Sequence, residues 1–179
     1  VAVVARPLEE CARPADEEVD ERTSLTARIE HVGSTSVPGL QAKPVIDACI
    51  VVASPRDIPY VVKALATLGY VHRGELGVPD RAAFRPPASL PKHHLYASPR
   101  RSLSLKNQLG LRDYLRANPE AAREYGALKE ELARQFPDDI DAYIAGKTDF
   151  ILRILRTVGF SEEELAAIRA INQPDNLAR

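Results

Sequence analysis

Tryptophan and methionine are absent from this 179-residue chain, and cysteine occurs only as Cys11 and Cys49. Neither cysteine belongs to a Cys-x-x-Cys pair or to a cluster of cysteine and histidine, which argues against a zinc knuckle and a disulfide scaffold. Such sparse thiols are typical of a reducing compartment, so we expect a cytoplasmic protein. Because the chain begins with Val and has no Met, we expect the native N-terminus to lie outside it.

An excess of one charge and long apolar runs are also missing. The 24 basic and 25 acidic residues give a net charge of −1, whereas general nucleic-acid or membrane-surface binders usually carry a basic excess. The longest apolar stretch, residues 45–53, is interrupted by Asp47 and is far shorter than the roughly 18 residues that span a bilayer. We therefore expect no general nucleic-acid binding, no membrane span and no signal peptide. The composition, 45% hydrophobic and 27% charged, predicts one globular domain.

The apolar pattern divides the chain into three parts. Residues 1–26 have a weak pattern and predict an N-terminal arm or helix, residues 27–158 the main domain, and residues 159–179 a C-terminal helix and tail. Apolar runs between turn-forming residues predict strands in the first half of the main domain. The predicted strands are 28–32, 45–52, 71–76 and 93–97, with a helix after Ser54-Pro55 and a mobile loop, rich in proline, over residues 77–92.

After Pro99 the apolar residues repeat at helical spacing. The predicted helices begin near Leu105, Pro119, Asp139 and Glu162, the last behind a Ser161 capping box. The sequence therefore predicts the α+β class, with a small sheet first and a helical C-terminal half.

A turn-forming run, Gly33 to Gly39, follows the first predicted strand. Its backbone N–H groups and the hydroxyls of Ser34, Thr35 and Ser36 suit phosphate oxygens. The run lacks the Gly-Lys-Ser/Thr ending of a Walker A loop, so no kinase activity is predicted. A tight turn whose hydroxyls cap a following helical turn is an equally open interpretation.

Asp47 interrupts the second, apolar strand. A carboxylate there is costly to bury unless it caps a polar group or holds a metal ion. Two-metal phosphoryl chemistry needs further carboxylates, and the next position on the same strand face is Cys49. The pattern predicts at most a sparse metal site at Asp47 and a core role for Cys49.

Cationic and aromatic side chains recur four residues apart in the helical half. The pairs are Tyr125 with Lys129, Tyr143 with Lys147, and Arg112 with Arg116. One interpretation is that they extend past the core or pair with nearby acids such as Asp113. In the other, they converge behind the Gly-Ser turn and bind a polyanion such as a nucleoside triphosphate.

His93 and His94 are expected to point to opposite faces of a strand, so that one faces the cleft as an acid, base or hydrogen-bond donor. Residues 80–85, including Arg81, Phe84 and Arg85, are interpreted either as a solvated loop, the favoured alternative, or as a lid over bound ligand.

The run from Arg28 to Asp47, RIEHVGSTSVPGLQAKPVID, closely resembles the signature of the GrpB family of the nucleotidyltransferase superfamily. Further stretches agree in order, and the likeness covers about residues 28–156. They are Leu68–Tyr70, Asp80-Arg81 with Phe84, His93–Tyr96, Leu111–Arg116, Tyr125–Lys129 and Tyr143–Lys147.

The resemblance implies a polymerase-β-like nucleotidyltransferase fold with a small mixed sheet. It implies that Gly33 and Ser34 hold phosphates, that Asp47 holds Mg²⁺, and that Arg112, Lys129 and Lys147 line the pocket. The other predicted substrate- or phosphate-binding residues are Thr35, Ser36, Lys43, Arg81 and Tyr143.

The leading hypothesis is a Mg²⁺-dependent enzyme that moves a nucleotidyl group from an NTP to a small-molecule acceptor. Asp47, His94 and Glu30 are its predicted catalytic residues, with His94 or Glu30 assisting proton removal from the acceptor. The alternative is a non-catalytic module that binds a nucleotide or phosphometabolite and lacks the second metal carboxylate. A purely structural, partner-binding domain is a third, weaker hypothesis.

Overall fold

A five-stranded mixed sheet forms the first half of the computed structural model, which describes residues 27–173. The strands are β1 (Ala27–Val32), β2 (Ile46–Val52), β3 (Val71–His72), β4 (Ala82–Arg85) and β5 (His93–Pro99). They lie in the order β1-β2-β5-β4-β3; β2 and β5 are parallel, and the other neighbours are antiparallel. The predicted N-terminal arm or helix, and residues 174–179 of the tail, lie outside the described residues.

The two central strands are apolar on both faces, as strands covered on both sides must be. On one face, helix α1 (Ile58–Thr67) places Val61 and Leu65 against Ile50 and Leu95. On the other face, Leu105 of the helical half packs against β1 and β2. The sheet is thereby fixed between α1 and the C-terminal helices, with the carboxyl end of β1 left open to the cleft described below.

Four helices form the second half: α2 (Leu103–Ala117), α3 (Pro119–Gln135), α4 (Ile140–Thr157) and α5 (Glu162–Ile171). Side-chain caps define several of their starts: Ser102 accepts from the Leu105 N–H, and Ser161 and Glu164 form a reciprocal capping box. Leu165 and Ile168 of α5 share the core of α2 to α4. Over residues 27–173, no helix combines the length and apolarity that a bilayer crossing requires.

The mixed sheet and the helical C-terminal half confirm the predicted α+β class. Two local predictions are wrong. The strand expected over residues 71–76 ends at His72, and the expected loop over 77–92 contains β4, whose Phe84 is buried in the core. Phe84 is therefore not part of a lid. The prolines of this stretch flank β4 and leave its ladder hydrogen bonds intact, which is why their number misled the prediction.

Candidate functional site

The Gly-Ser turn begins where β1 ends. Gly33 has φ 70° and ψ −172°, a conformation that essentially only glycine adopts, and it is followed by a 3₁₀ turn over Ser34–Ser36. A Cβ atom on Gly33 would lie 2.3 Å from Oδ2 of Asp47. Glycine therefore lets the turn lie directly against this carboxylate.

The three hydroxyls of the turn differ in position. Ser34 lines the cleft, whereas the Ser36 hydroxyl donates to the Gly33 carbonyl at 2.6 Å and is buried. The Thr35 hydroxyl lies 3.0 Å from Nε2 of His31 and donates to the Val45 carbonyl at 3.4 Å. The interpretation as a hydroxyl-supported turn thus applies to Thr35 and Ser36, whose hydroxyls bond within or beside the turn. The interpretation as a binding loop can apply only to Ser34, which lines the cleft.

Asp47 and His94 form a pair across the central strands. The parallel register of β2 and β5 places them opposite each other, and Nδ1–H of His94 donates to Oδ1 of Asp47 at 3.0 Å. This hydrogen bond raises the pKa of His94 against the opposing effect of burial. His93 points to the other face, where its ring contacts the Tyr70 hydroxyl and the Pro91 carbonyl. The predicted division of the two histidines is confirmed.

Lys129 and Lys147 approach the turn from α3 and α4. Nζ of Lys129 donates to the Ser34 hydroxyl at 2.9 Å and to the Gln41 carbonyl at 2.7 Å. Burial and the charge of Lys147 lower the pKa of Lys129 to about 8, and burial lowers that of Lys147. Within residues 27–173, neither lysine has a carboxylate ion-pair partner. Asp47 and Glu130 act on these lysines only at longer range, and two confined ammonium groups without a direct ion pair favour an anionic ligand.

The arginines of α2 are engaged by the protein itself. Arg112 donates to Glu30 at 2.7 Å, to Asp113 at 2.7 Å and to the His31 carbonyl at 3.0 Å, and it also lines the cleft. Arg116 donates to the Ser36 carbonyl at 2.8 Å. These contacts fix the end of β1 and the turn, so both alternatives for this pair, local pairing and convergence on the turn, hold in part.

Some predicted site residues lie away from the cleft. Glu30 is bound by Arg112 and Arg28 and does not line it, so the structure offers no support for Glu30 as the proton acceptor. Lys43 is exposed and does not line the cleft. Tyr143 does not line it either, but its ring centre lies 4.9 Å from Nζ of Lys147, which does. Arg81 does line the cleft, 4.5 Å above the Tyr96 ring.

A cleft of about 920 Å³ lies between the sheet and the helical half. Lys129 is not among its lining residues and reaches it only through the hydrogen bond to Ser34. Gly33, Ser34, Asp47, His94 and Lys147 line its polar end. Sequence reasoning missed the amides on its wall, among them Asn107 and Gln108 of α2. The only sequence feature that could have indicated Asn107 and Gln108 is their position on α2 between Leu105 and Leu111, because amide side chains belong to no recognisable motif.

The side chains available as metal ligands limit which metal ion the cleft could hold. Across the described residues, no group of three or more His, Cys, Asp or Glu side chains has the geometry to hold one, and Asp47 is the single carboxylate among the lining residues. Burial raises the pKa of the Cys49 thiol to about 11, which keeps it protonated. The residues do not fit a two-metal centre. They fit one Mg²⁺ held by Asp47 and completed by phosphate oxygens of a ligand and water.

Fold and site together define a mixed α+β protein with a cleft, lined in part by cationic side chains, beside its central strands. The GrpB protein family model matches residues 5–157, and the chain belongs to the GrpB family. This confirms the family resemblance inferred from the Arg28–Asp47 run.

Relatives and a solved structure agree with this assignment. The chain is 39% identical over 123 residues to UPF0157 protein YqkA of Bacillus subtilis, covering 69% of this chain and 36% of that protein. It is 40% identical over 131 residues to UPF0157 protein PA4798 of Pseudomonas aeruginosa, covering 71% and 53%. The chain thus spans only about a third to a half of these relatives. The crystal structure of conserved protein GrpB from Enterococcus faecalis superposes with a TM-score of 0.68 at 30% identity, covering 93% of this chain and 90% of that one.

Proposed function

We propose that the cleft binds a nucleoside triphosphate and transfers its nucleotidyl group to a small acceptor, as the resemblance to the nucleotidyltransferase superfamily implies. One observation carries the proposal. Lys129 and Lys147 lie around the Gly33–Ser34 turn without a carboxylate partner in the described chain, and Asp47 lies directly against that turn. Cations, a glycine turn and one carboxylate are the groups that a triphosphate with Mg²⁺ would meet.

His94 is the group suited to move the acceptor proton. Asp47 engages its Nδ1, so Nε2 is the nitrogen left to accept a proton from an acceptor O–H or N–H. The acceptor atom then bonds to the α-phosphorus, the bond from that phosphorus to the bridging oxygen breaks, and pyrophosphate leaves. Lys129 and Lys147 stabilise the leaving charge, and Mg²⁺ held by Asp47 would neutralise the phosphates.

A non-catalytic nucleotide- or phosphometabolite-binding module is the second candidate. The observation in its favour is Cys49, a buried, protonated thiol at the strand position where a second carboxylate would hold the metal. Such a module would use the same turn and lysines but would depend little on Mg²⁺.

Calorimetric titration of ATP and GTP, with and without Mg²⁺, tests the proposal. We expect micromolar binding that needs Mg²⁺ and weakens about tenfold or more in Asp47→Asn and Lys129→Gln, because each variant removes a group that faces the phosphates. Lys63→Gln, at an exposed position of α1, is the matched control and should bind normally. Mg²⁺-independent binding would favour the module, and no binding of ATP or GTP by the wild type would refute nucleotidyl transfer and leave only a module for a different phosphorylated ligand.

A further inference from the structure

A small recess opens from the cleft at the end away from the Gly-Ser turn. It has a volume of about 130 Å³ and lies between α2, the end of α5 and the segment before β4. Its polar lining residues are Ser104 and four with longer side chains, Arg81, Asn107, Gln108 and Asn172. We call these four residues and the space they surround the amide recess. It shares all four residues with the main cleft, so a ligand can extend from one into the other.

Arg81 is held in place but lacks a counter-charge. Its Nη2 donates to the Glu75 carbonyl at 3.2 Å, and its guanidinium lies 4.5 Å from the Tyr96 ring centre. Its Nε is buried and has no hydrogen-bond partner within residues 27–173, where Arg81 also forms no ion pair. A fixed planar guanidinium with a free edge is suited to a carboxylate, which it binds through parallel hydrogen bonds.

Gln108 has an unpaired acceptor atom, whereas Arg81 has an unpaired donor. Its Oε1 is buried and, among the described residues, lacks a donor. Buried polar atoms are normally paired, and the two residues that carry these unpaired atoms of opposite type both line one recess, which favours a ligand that pairs with both. An oxygen acceptor such as Oε1 repels phosphate oxygens and attracts an N–H or O–H group.

We propose that the amide recess binds a small amino- or hydroxycarboxylate, with its carboxylate on Arg81 and its amine or hydroxyl on Gln108. The binding claim stands on the recess alone, while the role of this molecule as the nucleotidyl acceptor rests on the proposed function. Arg81 connects the recess to the rest of the cleft, because it lines both and its charge acts on His94 and Tyr96. Gln108 also lines both spaces, so the amine or hydroxyl that it binds is available to the cleft.

Saturation-transfer NMR tests the inference with amino- and hydroxycarboxylates of graded length, such as serine and lactate, each beside its neutral amide. We expect some carboxylates to bind and their amides not to bind. Arg81→Gln should reduce the carboxylate signals about fivefold or more, because Gln cannot replace the charged fork. Arg101→Gln, at an exposed turn position outside the cleft, is the matched control. Carboxylates that bind no better than their amides, or that bind Arg81→Gln as well as the wild type, would overturn the inference.

Gln108→Glu provides a second readout, should Arg81→Gln fold poorly. The new carboxylate pairs with Arg81 inside the recess, so we expect a higher Tm together with loss of carboxylate binding. A lower Tm with carboxylate binding retained would contradict the inference. ATP titration of the wild type separates the two proposals. Carboxylate binding without ATP binding would support the ligand assigned to the amide recess and refute its role as nucleotidyl acceptor. ATP binding without carboxylate binding would support the proposed function and refute the ligand assigned to the recess.

Discussion

Gly33 determines how closely the turn approaches Asp47. Replacing it with Ala forces a Cβ to within 2.3 Å of the carboxylate and strains a backbone with φ 70°. We expect Gly33→Ala to destabilise the protein by about 1–3 kcal/mol and to abolish ATP binding, as measured by urea unfolding and calorimetry.

Gly39→Ala is the control for this substitution. Gly39 shares the positive φ, at 74°, but has no atom within 4 Å of the added Cβ. It should lose stability and keep its ligand affinity. Equal loss of affinity in both variants would show that backbone strain alone, and not the contact with Asp47, explains the requirement for glycine.

Lys129 makes ligand affinity depend on pH. Its pKa of about 8 lies below the ordinary value of 10.5, and a bound polyanion favours its charged form. Binding therefore takes up protons near and above pH 8, so affinity should be full below pH 8 and fall as the pH rises through it. Calorimetry in buffers of different ionisation enthalpy measures this uptake. Lys129→Arg should remove most of the effect because its charge does not titrate in this range, and an unchanged pH dependence would contradict the assignment.

Single residues could be predicted where local pattern decides their environment. Asp47 in an apolar strand and the alternating His93 and His94 required only the period of a strand. The pairing of Glu30 with Arg112 could not be predicted, because the two residues are 82 positions apart in sequence. Arg81 was among the predicted binding residues and lines the cleft, whereas Gln108 was out of reach, since its unpaired atom is visible only after the chain has folded.

At the scale of elements, two glycines within helices test how α3 and α4 pack. A Cβ on Gly126 of α3 would lie 3.5 Å from Leu40, an ordinary contact, whereas one on Gly146 of α4 would lie 2.4 Å from Leu132. Gly126→Ala should stabilise the protein by about 0.5–1 kcal/mol through helix propensity. Gly146→Ala should lose that gain because Leu132, itself buried, must move. Urea unfolding of the two variants measures the difference, and equal effects would contradict the packing of α3 against α4.

Element prediction succeeded for long periodic segments and failed for short ones. The four C-terminal helices follow from apolar spacing and caps, such as the Ser161 box. In contrast, β4 has four residues between prolines and acquires its strand form from pairing with β5. A strand of four residues is too short to show a periodic signal of its own, so its form depends on the strand it pairs with.

At the scale of the molecule, the site is assembled from pieces of both halves. The end of β1 leads into the Gly33–Ser34 turn, β2 and β5 provide Asp47 and His94, and α3 and α4 provide the lysines. Residue spacing predicted each piece separately, but it left open whether the cations converge. The fold decides this, because the contact of Lys129 with Ser34 joins residues 95 positions apart.

The parallel pairing of β2 with β5 also bears on folding order. Asp47 and His94 are separated by 47 residues, and the chain between them must close a long loop before the strands can pair. Loop closure costs entropy before any contact compensates it, so such pairings form slowly, after local helices. We therefore expect a refolding chain to regain helical content first. The Asp47–His94 pair should form last, because it requires β2 and β5 to be paired in their native register.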